Sequence, residues 1–117
     1  MGGIAIAGSV IVDRINEIHA YPNAGELTQV YSIKRAVGGC VPNVAIDLKR
    51  ICPTMQVFAC GKVGDDADAV LLRDTLAADG VDASLLSVCA EPTSFTAVMS
   101  LMPESAKAFK HSRIAEL

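Results

Sequence analysis

The feature that most limits the fold of this chain is the run Gly3 to Val12, "GIAIAGSVIV", which is almost wholly apolar, rich in Ile and Val, and closed by the carboxylate of Asp13. Such a run suits a strand buried on both faces of a parallel sheet, because the crossovers between parallel strands cover both sides. The elements that follow read as hairpin, helix, strand, helix, strand, strand. That order describes an α/β domain with a mostly parallel sheet and flanking helices.

Ile15 to Ala20 partly alternates, Thr28 to Val37 is a second extended candidate, and "YPNAGE" between them supplies Pro22, Asn23 and Gly25 for a turn. Neither segment is apolar enough to be central, so the pair is expected to protrude from or flank the main sheet. An ordinary edge hairpin reads the same way. Pro42 fits the first turn of a helix, with Val44, Ala45, Leu48 and Ile51 on one face and Pro53 as the stop. Gln56 to Gly64 predicts a second buried strand. Asp65 or Asp66 then caps a helix running to about Asp79, with Ala69, Leu72 and Leu76 inward and Gly80 past its end. Ser84 to Ala90 and Ser94 to Met102 are strand candidates. Residues 104–117 have a poor apolar face and are expected to form a frayed helix or a mobile end.

Composition removes several classes of function. With 117 residues the chain suits one domain, small for a complete two-substrate enzyme. A net charge of -3 and no cluster of Lys and Arg leave no footprint for nucleic acid or an anionic membrane. Cys40, Cys52, Cys60 and Cys89 lack the close pairs of zinc or redox motifs and are expected as free thiols. Without a signal peptide or an apolar span, the expected home is the cytoplasm.

Phosphate-binding motifs are missing, because "GGCVPN" has neither dinucleotide-fingerprint spacing nor the Lys-Ser or Lys-Thr of a P-loop. Asp65, Asp66, Asp68, Asp74, Asp79 and Asp82 make a local acid excess without calcium-loop spacing, so a solvated acidic face is expected and no metal site. His19 and His111 read as surface residues. Cys40 is expected as a small buried cysteine, since no base lies near it in sequence. What remains is a polar set: Asp13, Gly38, Gly39 and Asn43. Asp13 alone reads equally as a loop or capping residue. Together the four suit a hydroxyl-rich ligand, for carboxylate and carboxamide pair with hydroxyls and glycine admits close approach to the backbone.

In order along the chain, "GSVIVD" at Gly8, "YPNAGE" at Tyr21, "VGGCVPNVAIDLKRI" at Val37, "GKVGDD" at Gly61, "LAADGVDAS" at Leu76 and "PTSFTAVM" at Pro92 resemble the amino-terminal part of the ribokinase-like (PfkB) carbohydrate kinases. The resemblance covers about residues 3–102. It implies a ribokinase-like α/β fold in which the strands at about 15–37 form a protruding β lid. The implied reaction moves the γ-phosphoryl of ATP, with Mg, to a hydroxyl of a sugar or nucleoside. Asp13, Gly38, Gly39 and Asn43 would then hold the acceptor, with Asp13 the main orienting carboxylate. Positioning of this kind carries much of the catalysis in phosphoryl transfer.

Four departures qualify the resemblance. Val41 stands where the family prefers a small residue, and Cys52 where Gly or Ser is usual. Ala69 follows "GDDAD" where the family commonly has glycine. No "DTxGAGD"-like segment, the family's site for the catalytic aspartate and anion hole, occurs; "RDTLAADG" at Arg73 falls inside a predicted helix. The expectation is therefore an acceptor-binding part of a sugar or nucleoside kinase, without catalytic Asp or ATP site. A freestanding sugar-binding or dimerisation module is the alternative. A half sheet would leave an unpaired edge, and two copies could associate as a homodimer through that edge or through the lid strands.

Overall fold

The computed structural model describes residues 2–102. The expectation for residues 104–117 lies outside that range. Among the described residues six strands and two helices follow in the order β1 (Ile4–Ala7), β2 (Ile11–Ile18), β3 (Val30–Gly38), α1 (Cys40–Ile51), β4 (Val57–Val63), α2 (Ala67–Ala78), β5 (Asp82–Val88) and β6 (Phe95–Leu101). The strands form two three-stranded sheets, ordered β1-β4-β5 and β3-β2-β6. By contacts the described residues divide into two units, residues 2–13 with 36–96 and residues 14–35 with 97–102.

In the first unit β4 pairs in parallel with both β1 and β5, Ile6 lying opposite Ala59 and Gly61 opposite Leu86. Its core gathers Val57, Ala59 and Val63 from β4, Val41 and Ala45 from α1, Leu72 and Leu76 from α2, and Val10, Val12, Val81 and Leu86. This is the helix-covered parallel sheet expected from the apolar runs. β5 is an outer strand, and its Leu85 and Val88 are exposed.

α2 follows its sequence signals closely. The Asp66 carboxylate accepts from the Ala69 N–H at 2.9 Å, capping one of the donors that a helix start leaves unpaired. Ala69, Leu72 and Leu76 are buried as expected. After Gly80 the chain reverses, and the Val81 N–H returns to the Leu76 carbonyl at 2.9 Å. Asp66 has a second task. Its Oδ2 accepts from the Thr93 N–H at 2.8 Å and its Oδ1 from the Thr93 hydroxyl at 2.7 Å. The same hydroxyl accepts from the Gly64 N–H at 2.9 Å. Buried Thr93 thus fastens the entry to β6 onto the start of α2.

Three expectations need correction. The apolar run Gly3 to Val12 is two strands, β1 and β2, with a turn at Gly8, Ser9 and Val10 between them. Ser9 leaves the ladder because α1 needs it: the Val41 N–H donates to the Ser9 carbonyl at 3.1 Å and the Cys40 N–H to the Ser9 hydroxyl at 3.2 Å. β1, expected to be buried on both faces, is largely exposed. On α1 the buried residues are Val41, Pro42 and Ala45, whereas Val44 is 48% and Ile51 77% exposed. The helix begins at Cys40, so its inward face is set by the contact of its first turn with the β1–β2 turn.

In the second unit, the hairpin is longer than expected at its first strand. β2 continues from Asp13 into it rather than starting at Ile15. Glu17 accepts from the Ser32 hydroxyl at 2.7 Å and from Lys34 at 3.2 Å, while His19 stacks edge-on with Tyr31 at 6.3 Å. Partners fall as positions rise, so β2 and β3 run antiparallel. The Met102 N–H donates to the Ile18 carbonyl at 3.2 Å and Asn16 to the Val98 carbonyl at 3.2 Å, so β6 runs along β2 in the same direction. Among the described residues no helix is long and apolar enough to cross a membrane.

Candidate functional site

The four residues singled out from sequence lie on three elements of the first unit. Asp13 is the third residue of β2, Gly38 the last of β3, Gly39 the N-cap of α1, and Asn43 is in the first turns of α1. Asp13 was expected beyond the end of a strand. Its place inside β2, with β3 on one side and β6 on the other, gives it a neighbour on each strand.

On the β3 side that neighbour is Gly38. A β-carbon at Gly38 would lie 2.7 Å from Asp13 Oδ2 and 3.4 Å from Oδ1, so the carboxylate occupies the space a side chain would need. On the β6 side, the Thr96 hydroxyl donates to Asp13 Oδ1 at 2.6 Å. The half-buried carboxylate is thereby held in one orientation, with Oδ2 toward the glycine.

Gly39 serves a different purpose. Its φ of 91° is in the left-handed region, and a β-carbon there would meet the Ser9 carbonyl oxygen at 2.6 Å. Only glycine lets the chain leave β3 and enter α1 with the β1–β2 turn packed against it. Asn43 is exposed, one turn into the helix.

The start of α1 is not an open anion site. The Cys40 and Val41 N–H groups are spent on Ser9, and the Asn43 N–H closes on the Gly39 carbonyl at 3.4 Å. Groups that a phosphate would use therefore already have partners. Among the described residues no group of three or more His, Cys, Asp or Glu side chains could hold a metal ion. The site offers a carboxylate fixed by Thr96, and the first turns of α1 carry the exposed carboxamide of Asn43; both groups suit hydroxyls.

Cys40 corrects another expectation, for it is exposed and not buried. The side-chain hydrogen bond with Ser9 at 3.3 Å, and then the Ser9 backbone, hold its thiol below the ordinary value. Cys52, Cys60 and Cys89 are also free thiols.

Sequence reading missed Ser9, Thr93 and Thr96. Ser9 and Thr96 touch Cys40 and Asp13 across 31 and 83 positions of chain. No local periodicity carries such contacts.

A helix-backed parallel sheet whose first apolar run feeds a second sheet, with a carboxylate beside a glycine pair, is the ribokinase-like fold. The structure of Arabidopsis thaliana ribokinase complexed with ribose and ATP superposes with a TM-score of 0.73 at 27% identity, over 83% of this chain and 31% of that one. The nucleoside kinase of Methanocaldococcus jannaschii, described as an archaeal member of the ribokinase family, gives a TM-score of 0.73 at 20% identity, over 87% of this chain and 34% of that one. In sequence the chain is 35% identical over 81 residues to ribokinase of Bacillus subtilis (strain 168), matching 69% of this chain and 27% of the relative. Residues 1–104 match the profile of the pfkB family carbohydrate kinases, and the chain belongs to that family. It spans about a third, or less, of the length of these relatives.

Proposed function

We propose that the chain supplies the acceptor-binding part of an ATP-dependent sugar or nucleoside kinase. Asp13, Gly38, Gly39 and Asn43 hold the acceptor hydroxyls, and residues outside this chain provide the nucleotide site and the transfer chemistry. One observation carries this reading: the Asp13 carboxylate seated against Gly38 and fixed by Thr96. Fixing a carboxylate in advance lowers the ordering cost of gripping a flexible polyol. Family membership supports the reaction class, and relatives that bind ribose with ATP, or ADP, support sugar and nucleotide as its substrates. The β2–β3 hairpin would act as a lid that keeps water from competing as phosphoryl acceptor.

A freestanding sugar-binding or dimerisation module is favoured by one observation, the exposed Leu85 and Val88 on outer strand β5. Incubating the 117-residue chain with ATP, Mg2+ and ribose or adenosine tests the division of labour. No sugar phosphate or nucleoside phosphate is expected. Product formed above the protein-free background would overturn the assignment of transfer chemistry to residues outside the chain.

A further inference from the structure

The contact between Asp13 and Thr96 has consequences for how the acceptor is gripped. The oxygen separation of 2.6 Å is in the range of hydrogen bonds from a hydroxyl to an ionised carboxylate, which are stronger than neutral ones. Thr96 is half-buried at the second position of β6, three residues after Thr93. Thr93 is tied to Asp66 by two bonds and to the Gly64 N–H by a third. The strand that delivers the Thr96 hydroxyl is therefore itself anchored at its entry to the start of α2. Val12, the residue before Asp13, is fully buried, and its N–H donates to the Ser94 carbonyl at 3.0 Å. Backbone and side chain of the Asp13 segment are both registered against β6.

From this arrangement the geometry points to Thr96 as a positioning residue for acceptor recognition. It occupies Oδ1 of Asp13 and leaves Oδ2, beside Gly38, as the oxygen that meets an acceptor hydroxyl. The inference rests on the acceptor-site reading above and adds to it a residue and a binding mode. With both oxygens unoccupied, a carboxylate can rotate and take two hydroxyls of many polyols. With Oδ1 spent on Thr96, Asp13 takes one hydroxyl in one direction. A threonine hydroxyl that donates to the carboxylate also keeps its own lone pairs available, so a second acceptor hydroxyl can donate to Thr96 itself.

Calorimetric titration of the full chain with ribose and with adenosine tests this, using Thr96→Val, Thr96→Ser and Asp13→Asn, with thermal melting to confirm folding. Valine keeps the shape of threonine and removes the donor; serine keeps the donor and removes a methyl group. Thr96→Val is expected to weaken binding of whichever probe binds by roughly tenfold, the scale of a hydrogen bond to a charged group. Thr96→Ser is expected to stay within about twofold of the parent. In the Asp13→Asn background, Thr96→Val should have a smaller effect, because the two residues act as a unit. Recovery by serine separates positioning from packing, since a purely structural role would follow the lost methyl group. Parent-like binding by Thr96→Val, or serine as weak as valine, overturns the positioning role while leaving the acceptor site standing. Failure of the parent chain to bind either probe removes the acceptor-site reading and this inference with it.

Discussion

Replacing Asp13 by Asn is expected to lower affinity for a polyol acceptor by roughly ten- to a hundredfold while leaving the melting temperature nearly unchanged. The asymmetry follows from the two carboxylate oxygens. Oδ1 accepts from Thr96, and an asparagine carbonyl in the same place still accepts, as a weaker neutral bond, so the contact that orders the side chain is weakened but kept. Oδ2, facing Gly38, becomes an NH2 group that donates but cannot accept. An acceptor hydroxyl aimed at that position loses a charge-assisted bond and meets a donor instead. Calorimetry reads the affinity and thermal melting reads the fold. Unchanged affinity would remove Asp13 from the site, and a collapse of stability would make its role structural.

The two adjacent glycines should respond to alanine in opposite ways. Gly39→Ala places a β-carbon against the Ser9 carbonyl oxygen, a backbone atom held by the first turn of α1, at a φ of 91° that alanine rarely adopts. Strained backbone and forced overlap together should cost roughly 2–4 kcal/mol. For a chain of this size that lowers the melting temperature by on the order of 10 °C or more. Gly38→Ala meets only the end of a side chain, the Asp13 carboxylate, at ordinary backbone geometry. That carboxylate can turn aside, so stability should fall by about 1 kcal/mol or less. Acceptor affinity should fall as it does for Asp13→Asn. Thermal melts and titrations on the two variants check the contrast; a Gly39→Ala protein as stable as its parent would show that the β1–β2 turn is not held as the hydrogen bonds indicate.

The same contrast explains what could be read from sequence. Asp66 capping α2 and Leu72 and Leu76 facing inward are local events, governed by spacing within one helix, and they were legible. The position of Asp13 after an apolar run beside a glycine pair was legible as chemistry but not as geometry. Gly8 and Ser9 interrupt that run, and a glycine within a strand pattern is a recognised sign of a break. Only the demand of α1 for partners at its start explains why the chain turns there. Val44 and Ile51 obeyed helical spacing yet are exposed, because periodicity gives the angle between residues and not which side meets a sheet. Thr96, from the other end of the chain, was quoted as part of a family motif and gained a role only when β6 was seen beside β2.

The central claim is that acceptor hydroxyls are met where β2, β3 and α1 converge, and amide chemical shifts followed during a ribose titration test it most directly. Saturable changes are expected at Asp13, Gly38, Gly39, Asn43 and Thr96, with the same pattern weakened in Asp13→Asn. Changes confined to the open cavity lined by Lys49, Cys52, Met55 and Gln56, or no change at any of the five, would contradict it.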